Sequence, residues 1–222
     1  MRSVLHEVGG RANELMCGIT GIWGGETALD EALEVMAHRG PDDAGVYREG
    51  SLALAHRRLS IIDLSPEGAQ PMTSSSGRWV IVYNGEVYNA GELRLGLDVD
   101  WRGHSDTEVV LEMIAARGVE ATVRAANGMF AFAAWDKHEK TLWLARDRIG
   151  IKPLYWGLFE GSLYFASELK AIRAMGADPS IDRDVLARYF RYNCVPAPGC
   201  IYRGFQQLEP GCIARFDDAS TP

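Results

Sequence analysis

From Cys17 onward, short apolar runs alternate with clusters of Gly, Pro, Asp and Ser, the pattern of strands divided by turns. The segment Cys17-Gly18-Ile19-Thr20-Gly21-Ile22-Trp23-Gly24 reads as a first strand, and further strands are expected near 44–48, 51–57, 79–83, 129–135, 141–146, 153–157, 162–166 and 212–216. Helical spacing predicts a helix over about 28–38, with Leu29, Leu33 and Met36 on one face and Gly40-Pro41 as its stop. Further helices are expected over 105–117, 167–175 and 182–191, the first opening on Ser105-Asp106-Thr107-Glu108, the spacing of a capping box. Val80-Ile81-Val82-Tyr83 and Met129-Phe130-Ala131-Phe132-Ala133-Ala134-Trp135 are apolar at every position, so both strands should be covered on both faces. Together these patterns predict mixed α and β structure with stacked sheets between helices.

A chain of 222 residues holds one large domain, or one domain and the start of another. With 23 Lys and Arg against 30 Asp and Glu, the net charge of −7 argues against a nucleic-acid partner. No apolar run reaches the roughly 18–20 residues that a membrane-spanning helix needs, so no membrane association is expected. The cysteines at 17, 194, 200 and 212 form no C-x-x-C pair, and neither a metal site nor a disulfide framework is expected. Cytoplasmic localisation follows as an expectation. Gly18-x-x-Gly21-x-x-Gly24 is not a dinucleotide fingerprint, and no phosphate-binding loop motif occurs.

The residue that changes the picture is Cys17, which follows an internal methionine and opens the Gly-rich strand. Most cysteines in such a position are small buried hydrophobes. A cysteine freed at a chain start, however, carries an α-amine of pKa about 7.7–8.0 beside a thiol of pKa about 8.5, a nucleophile with its own base. His38, His56 and His104 are then not needed as a base and are expected on loops or sheet edges.

Seven blocks in order carry a resemblance: Met16-Cys17-Gly18-Ile19-Thr20-Gly21, His38-Arg39-Gly40-Pro41-Asp42, Arg58-Leu59-Ser60-Ile61-Ile62-Asp63, Tyr83-Asn84-Gly85-Glu86-Val87-Tyr88-Asn89, Ser105-Asp106-Thr107-Glu108, Gly128-Met129-Phe130-Ala131-Phe132 and the run from Ala145 to Tyr155. Together they resemble the class II glutamine amidotransferase domain of glutamine-hydrolysing asparagine synthetases, over nearly the whole chain from Met16 to about Phe216. The resemblance implies an α+β fold of the N-terminal-nucleophile hydrolase type, a four-layer α-β-β-α sandwich of two mainly antiparallel sheets between helices. It implies Cys17 as the nucleophile that forms a γ-glutamyl thioester, and Asn84 and Gly85 as the oxyanion hole. Arg58 then holds the substrate α-carboxylate, while Glu86 and Asp106 lie near its amino group. By residue type alone, Arg58 is a solvated arginine, a role expected for Arg57; Asn84-Gly85 is a hairpin turn after an apolar strand; and Asp106 is a first-turn carboxylate favoured by the helix dipole. Arg39-Gly40-Pro41-Asp42 and the polar loop over 146–153 are expected to be structural.

The implied function is hydrolysis of glutamine and supply of ammonia for ATP-dependent amidation of aspartate, with the stretch over 191–198 and Ile201-Tyr202 closer to asparagine synthetases than to phosphoribosyl or fructose amidotransferases. The alternatives are an amidotransferase acting on another acceptor and a catalytically silent regulatory domain. The expected partners are glutamine and a C-terminal synthetase domain; self-association as a homodimer is left open. No cofactor is expected in this domain, with ATP and magnesium belonging to the synthetase domain. Residues 1–16 are expected to be a leader, a propeptide or a misassigned start, because an acylated Cys17 nitrogen has no basicity; 17–216 form the amidotransferase domain and 217–222 begin a linker.

Overall fold

The computed structural model describes residues 16–25 and 29–219. Of the leader expected over 1–16 and the linker expected over 217–222, residues 1–15 and 220–222 lie outside the described residues. The two wholly apolar stretches form neighbouring strands, β5 (Trp79–Val87) and β6 (Gly128–Asp136), paired antiparallel from Trp79 opposite Asp136 to Val87 opposite Gly128. With β4 (Met72–Thr73), β7 (Thr141–Arg146) and β11 (Ile213–Phe216) they make a five-stranded sheet of order β11-β7-β6-β5-β4. The second sheet has the order β10-β8-β9-β1-β3-β2, built from β1 (Gly18–Trp23), β2 (Asp43–Glu49), β3 (Leu52–Arg58), β8 (Tyr155–Phe159), β9 (Ser162–Ala166) and β10 (Phe205–Gln207). Every pairing in both sheets is antiparallel.

Successive side chains of a strand point to opposite faces, and the core divides accordingly. Val80, Val82, Ala131, Ala133 and Trp135 meet Ile19, Leu52, Leu54 and Phe165 in the layer between the sheets. The other face of the first sheet, carrying Ile81, Tyr83, Phe130, Phe132 and Ala134, packs on Val110, Leu111 and Ile114 of α3 (Asp106–Arg117). The other face of the second sheet, with Ile22, Ala53, Ala55 and Ala166, is covered by α1 (Leu29–Val35) and α5 (Leu169–Ala174). The result is the expected four-layer α-β-β-α sandwich. No helix of the described residues is long and apolar enough to cross a membrane, and all four cysteines are free.

Several boundaries differ from the sequence expectation. The strand expected over 79–83 continues to Val87, because Gly85 and Glu86 keep their pairing with Phe130 and Met129. Two helices were not expected, α1 and α5 are shorter than the expected 28–38 and 167–175, and one further helix is shifted. α2 (Ala90–Leu95) and α4 (Val119–Ala125) are under two full turns and neither has a side-chain cap, so periodicity has little to act on. α6 (Arg183–Tyr192) begins one residue late because Asp182 is its N-cap, accepting from the amides of Asp184 and Val185. The capping box at Ser105 is half formed: Ser105 Oγ accepts from the Glu108 amide at 3.3 Å, but the Glu108 carboxylate reaches past Ser105 to the amides of Arg102 and Gly103.

His56 is not on an edge. It lies in the middle of β3, fully buried, with its Nε2 3.1 Å from the Tyr83 carbonyl of the opposite sheet, and burial pushes its pKa down to about 3. A neutral imidazole in the fold and an ordinary one in the unfolded chain give stability that is complete above about pH 6.5 and is lost as the pH falls toward 3. Between about pH 6 and pH 4, denaturant titrations should show wild type losing stability faster than His56→Gln by up to about 1.4 kcal/mol per pH unit. Parallel slopes would contradict this. Gly21 tests the packing between β1 and β9, since a Cβ there would sit 2.5 Å from the Phe165 ring and 2.7 Å from the Ala53 carbonyl. Gly21→Ala should cost about 1–3 kcal/mol in the same titration.

Candidate active site

Two consecutive arginines show how the strands build the site. Arg57 points to the helical face of β3, where its Nε donates to the Leu33 carbonyl at 2.8 Å, so it ties the sheet to α1 and is not the solvated residue expected. Arg58 points the other way, toward the gap between the sheets, and is buried. Its Nη2 donates to the carbonyls of Asp63 and Ser65, shaping the loop after β3, while its other guanidinium nitrogens have no protein partner among the described residues. Cys17 stands two residues before Ile19, and Asn84 two residues after Val82; both continue the inter-sheet face of their strands. Cys17, Arg58 and Asn84 therefore meet where the sandwich opens, at a cleft of about 240 Å³ that also includes Gly85, Glu86 and Asp106. Its size suits a small polar metabolite better than the roughly 300–1,000 Å³ typical of drug-sized sites.

The main chain at Cys17 is fixed before its strand begins. Arg39 Nε donates to the Cys17 carbonyl at 3.0 Å, its Nη1 pairs with Glu168 at 2.9 Å, and the Arg39 carbonyl accepts from the Met16 amide. Arg39 is thus more than the end of a helix, a role its place before Gly40-Pro41 did not reveal. Gly40 is required there, since a Cβ would lie 2.5 Å from the Arg57 carbonyl carbon. The sulfur itself sits against Leu59, whose amide donates to Sγ at 3.4 Å and whose carbonyl accepts from it at 3.6 Å. Burial pushes the Cys17 thiol up, and the Leu59 hydrogen bond and the charges of Lys152, Arg58 and Arg39 act against that.

Asn84 and Gly85 lie inside β5 rather than in a hairpin turn. The Asn84 side-chain nitrogen is buried and has no hydrogen-bond partner, an exception to the usual pairing of buried donors. The backbone of β5 supplies a second open donor. Phe130, opposite Gly85, turns both its backbone groups toward Asp147, so Gly85 and Phe130 exchange no ladder bonds. By the same alternation, the amides of Tyr83, Gly85 and Val87 all point to the side away from β6. Gln70 Oε1 takes that of Tyr83 at 2.6 Å and Asp106 Oδ2 that of Val87 at 2.9 Å. The Gly85 amide between them faces the cleft without a protein acceptor among the described residues.

Asp106 also accepts from the Tyr83 hydroxyl at 2.8 Å, and burial raises its pKa against those two donors. Glu86 is exposed at the cleft rim. His38 and His104 lie on loops, and no histidine lines the cleft. Lys152 does line it, although the loop over 146–153 reads as purely structural in sequence. Arg146 and Asp147 fit that structural reading: Arg146 donates to the carbonyls of Gly150, Lys152 and Leu208, and Asp147 accepts a ring of backbone amides. Among the described residues, no group of three or more His, Cys, Asp or Glu side chains is placed to hold a metal ion.

A thiol beside two preorganised, unmatched hydrogen-bond donors is an arrangement for acyl transfer. Comparison with known proteins agrees. Residues 16–222 match a family described as a glutamine amidotransferase domain. The chain is 36% identical over 208 residues to asparagine synthetase [glutamine-hydrolyzing] 1 of Bacillus subtilis, covering 88% of this chain and 33% of that protein. It is 41% identical over 167 residues to asparagine synthetase B [glutamine-hydrolyzing] of Escherichia coli, covering 71% of this chain and 30% of that protein. It spans about a third of the length of both relatives. Among solved structures, the glutamine phosphoribosylpyrophosphate amidotransferase of B. subtilis superposes with a TM-score of 0.64 at 24% identity, over 74% of this chain and 45% of that one, which supports the fold. By the extent of the family match, this chain belongs to the glutamine amidotransferase domain family, and the two relatives above are glutamine-hydrolysing asparagine synthetases.

Proposed function

We propose that the chain is the glutaminase part of an asparagine synthetase, with Cys17 as nucleophile, and that ammonia released here passes to an ATP-dependent domain that amidates aspartate. The observation that carries the reading is the pair of unmatched donors, Asn84 Nδ2 and the Gly85 amide, in the cleft that holds the Cys17 sulfur. In the form whose first residue is Cys17, its free α-amine takes the thiol proton and Sγ attacks the side-chain carboxamide carbon of glutamine. The carbonyl oxygen gathers negative charge and is held by the two donors. Collapse of the adduct breaks the C–N bond, the nitrogen leaves as ammonia with the proton returned by the amine, and the γ-glutamyl group stays on sulfur as a thioester. Water then cleaves the C–S bond, giving glutamate and the thiol.

The other residues sort by charge. Arg58 offers its remaining N–H groups to the substrate α-carboxylate, and Asp106 and Glu86 supply the negative wall for its ammonium group. Residues 17–216 form the amidotransferase unit in this reading, working in the cytoplasm, with ATP and magnesium used by the synthetase domain and not here. Both relatives carry about two-thirds of their length outside the matched region, room for such a domain.

Glutaminase kinetics on a chain beginning at Cys17 test the roles. Cys17→Ala should abolish hydrolysis while keeping the fold, and full activity in that variant would end the proposal. Asn84→Ala should lower kcat by about a hundredfold or more with KM little changed, because its amide is needed as charge develops. Arg58→Lys should act mainly on KM, since an ammonium cannot hold the loop carbonyls and a carboxylate together. Equal effects of both substitutions on both constants would contradict the assignment. With an ATP-dependent synthetase domain present, glutamine, aspartate and ATP should yield asparagine; an amide formed only on another acceptor would overturn the acceptor.

A further inference from the structure

Lys152 is a buried ionisable group that the chemistry above does not use. It reaches the cleft from the polar loop between β7 and β8 and is 6% exposed. Its backbone is held from both sides, the amide donating to Asp147 Oδ2 at 3.0 Å and the carbonyl accepting from Arg146 Nε at 2.8 Å. A position fixed this firmly spends little entropy in aiming its side chain. The ammonium ends 3.2 Å from the Met16 thioether, directly before Cys17. A thioether is a weak acceptor, and no carboxylate among the described residues forms an ion pair with Lys152. An ammonium out of water without an anion is costly, so the cleft is built to receive negative charge beside it.

Each charged group facing Cys17 has a different standing. Arg39, after α1, is neutralised by Glu168. Arg58, on β3, spends Nη2 on the loop carbonyls. The acidic groups Glu86, on β5, and Asp106, on α3, line the same cleft and Asp147 acts on Lys152; these oppose a thiolate, whereas Tyr83 is a neutral phenol and does not. Asp147 is already occupied by backbone amides. Lys152, like Arg58, is a buried cation with no carboxylate partner, but unlike Arg58 its charged group donates to no carbonyl and meets only the Met16 thioether. Burial lowers its own pKa and Arg39 adds to that, while the charges of Cys17, Asp147 and Glu86 work in the opposite direction.

We propose that Lys152 is a positioning residue for the nucleophile, an uncompensated cation against which the Cys17 thiolate forms. This rests on the reading of Cys17 as nucleophile, and its test needs no turnover, so the two can fail separately. The full chain is alkylated with iodoacetamide across a pH series and each cysteine is followed by peptide mass spectrometry. Exposed Cys194 serves as reference and buried Cys200 reports intact packing. In Lys152→Met the Cys17 profile should move to higher pH and the rate at neutral pH should fall about tenfold, as for loss of a nearby opposite charge. Cys194 should be unaffected, and Lys152→Arg should restore the wild-type profile. If Lys152→Met exposes Cys200, Lys152→Gln carries the comparison. An unchanged Cys17 profile in the neutral variants, or an Arg variant as slow as they are, would overturn the proposal.

Discussion

A strand turns successive side chains to opposite faces, and that period of two places the chemistry of this protein. Cys17, Arg58 and Asn84 come from three strands that are distant in sequence, yet each continues the inter-sheet face of its strand. Within the sandwich that face is filled by Ile19, Leu54 and Val82, which hold the two sheets in register. At the open end the same face carries a thiol, a guanidinium and an amide. A slip of one residue in any of the three strands would exchange the polar group for its neighbour: Gly18 for Cys17, Arg57 for Arg58, Tyr83 for Asn84. The apolar core therefore sets the active-site geometry more than any contact inside the cleft.

Polar matching supports that geometry and leaves selected donors open. Along the outer side of β5, Gln70 and Asp106 satisfy the amides on either side of Gly85, and Asp147 draws the backbone of Phe130 to the opposite side. The Gly85 amide is left over by the same rule that satisfies its neighbours, and the Asn84 nitrogen is buried beside it. Such donors need no reorganisation when charge appears on a substrate oxygen. The Arg39–Glu168 pair does comparable work at Cys17 by fixing its carbonyl.

Much of this was legible because strands leave a strong trace. The unbroken apolar runs of β5 and β6 required cover on both faces, and the sandwich provides it. Seven ordered motifs pointed to residues that the structure brings together in one cleft, whereas residue type alone left Asn84-Gly85 as a hairpin turn. That expectation failed because an Asn-Gly pair signals a turn only if the strand stops, and pairing with Met129 and Phe130 carries this strand past it. His56 read as a loop or edge residue because the burial of a polar side chain depends on the opposite sheet, here on the Tyr83 carbonyl. Arg57 read as solvated for the same reason, its partner being a carbonyl on α1. Lys152 was invisible as a cleft residue, since its reach to Met16 depends on a loop folded around Asp147.

The most direct measurement of the central claim is covalent labelling by a diazoketone analogue of glutamine, applied to a chain beginning at Cys17 and mapped by peptide mass spectrometry. The arrangement of thiol, guanidinium and open donors predicts one adduct, on Cys17, suppressed by excess glutamine and by Asn84→Ala, with Cys194, Cys200 and Cys212 unlabelled. Labelling that favours exposed Cys194, or that ignores glutamine and Asn84, would contradict it.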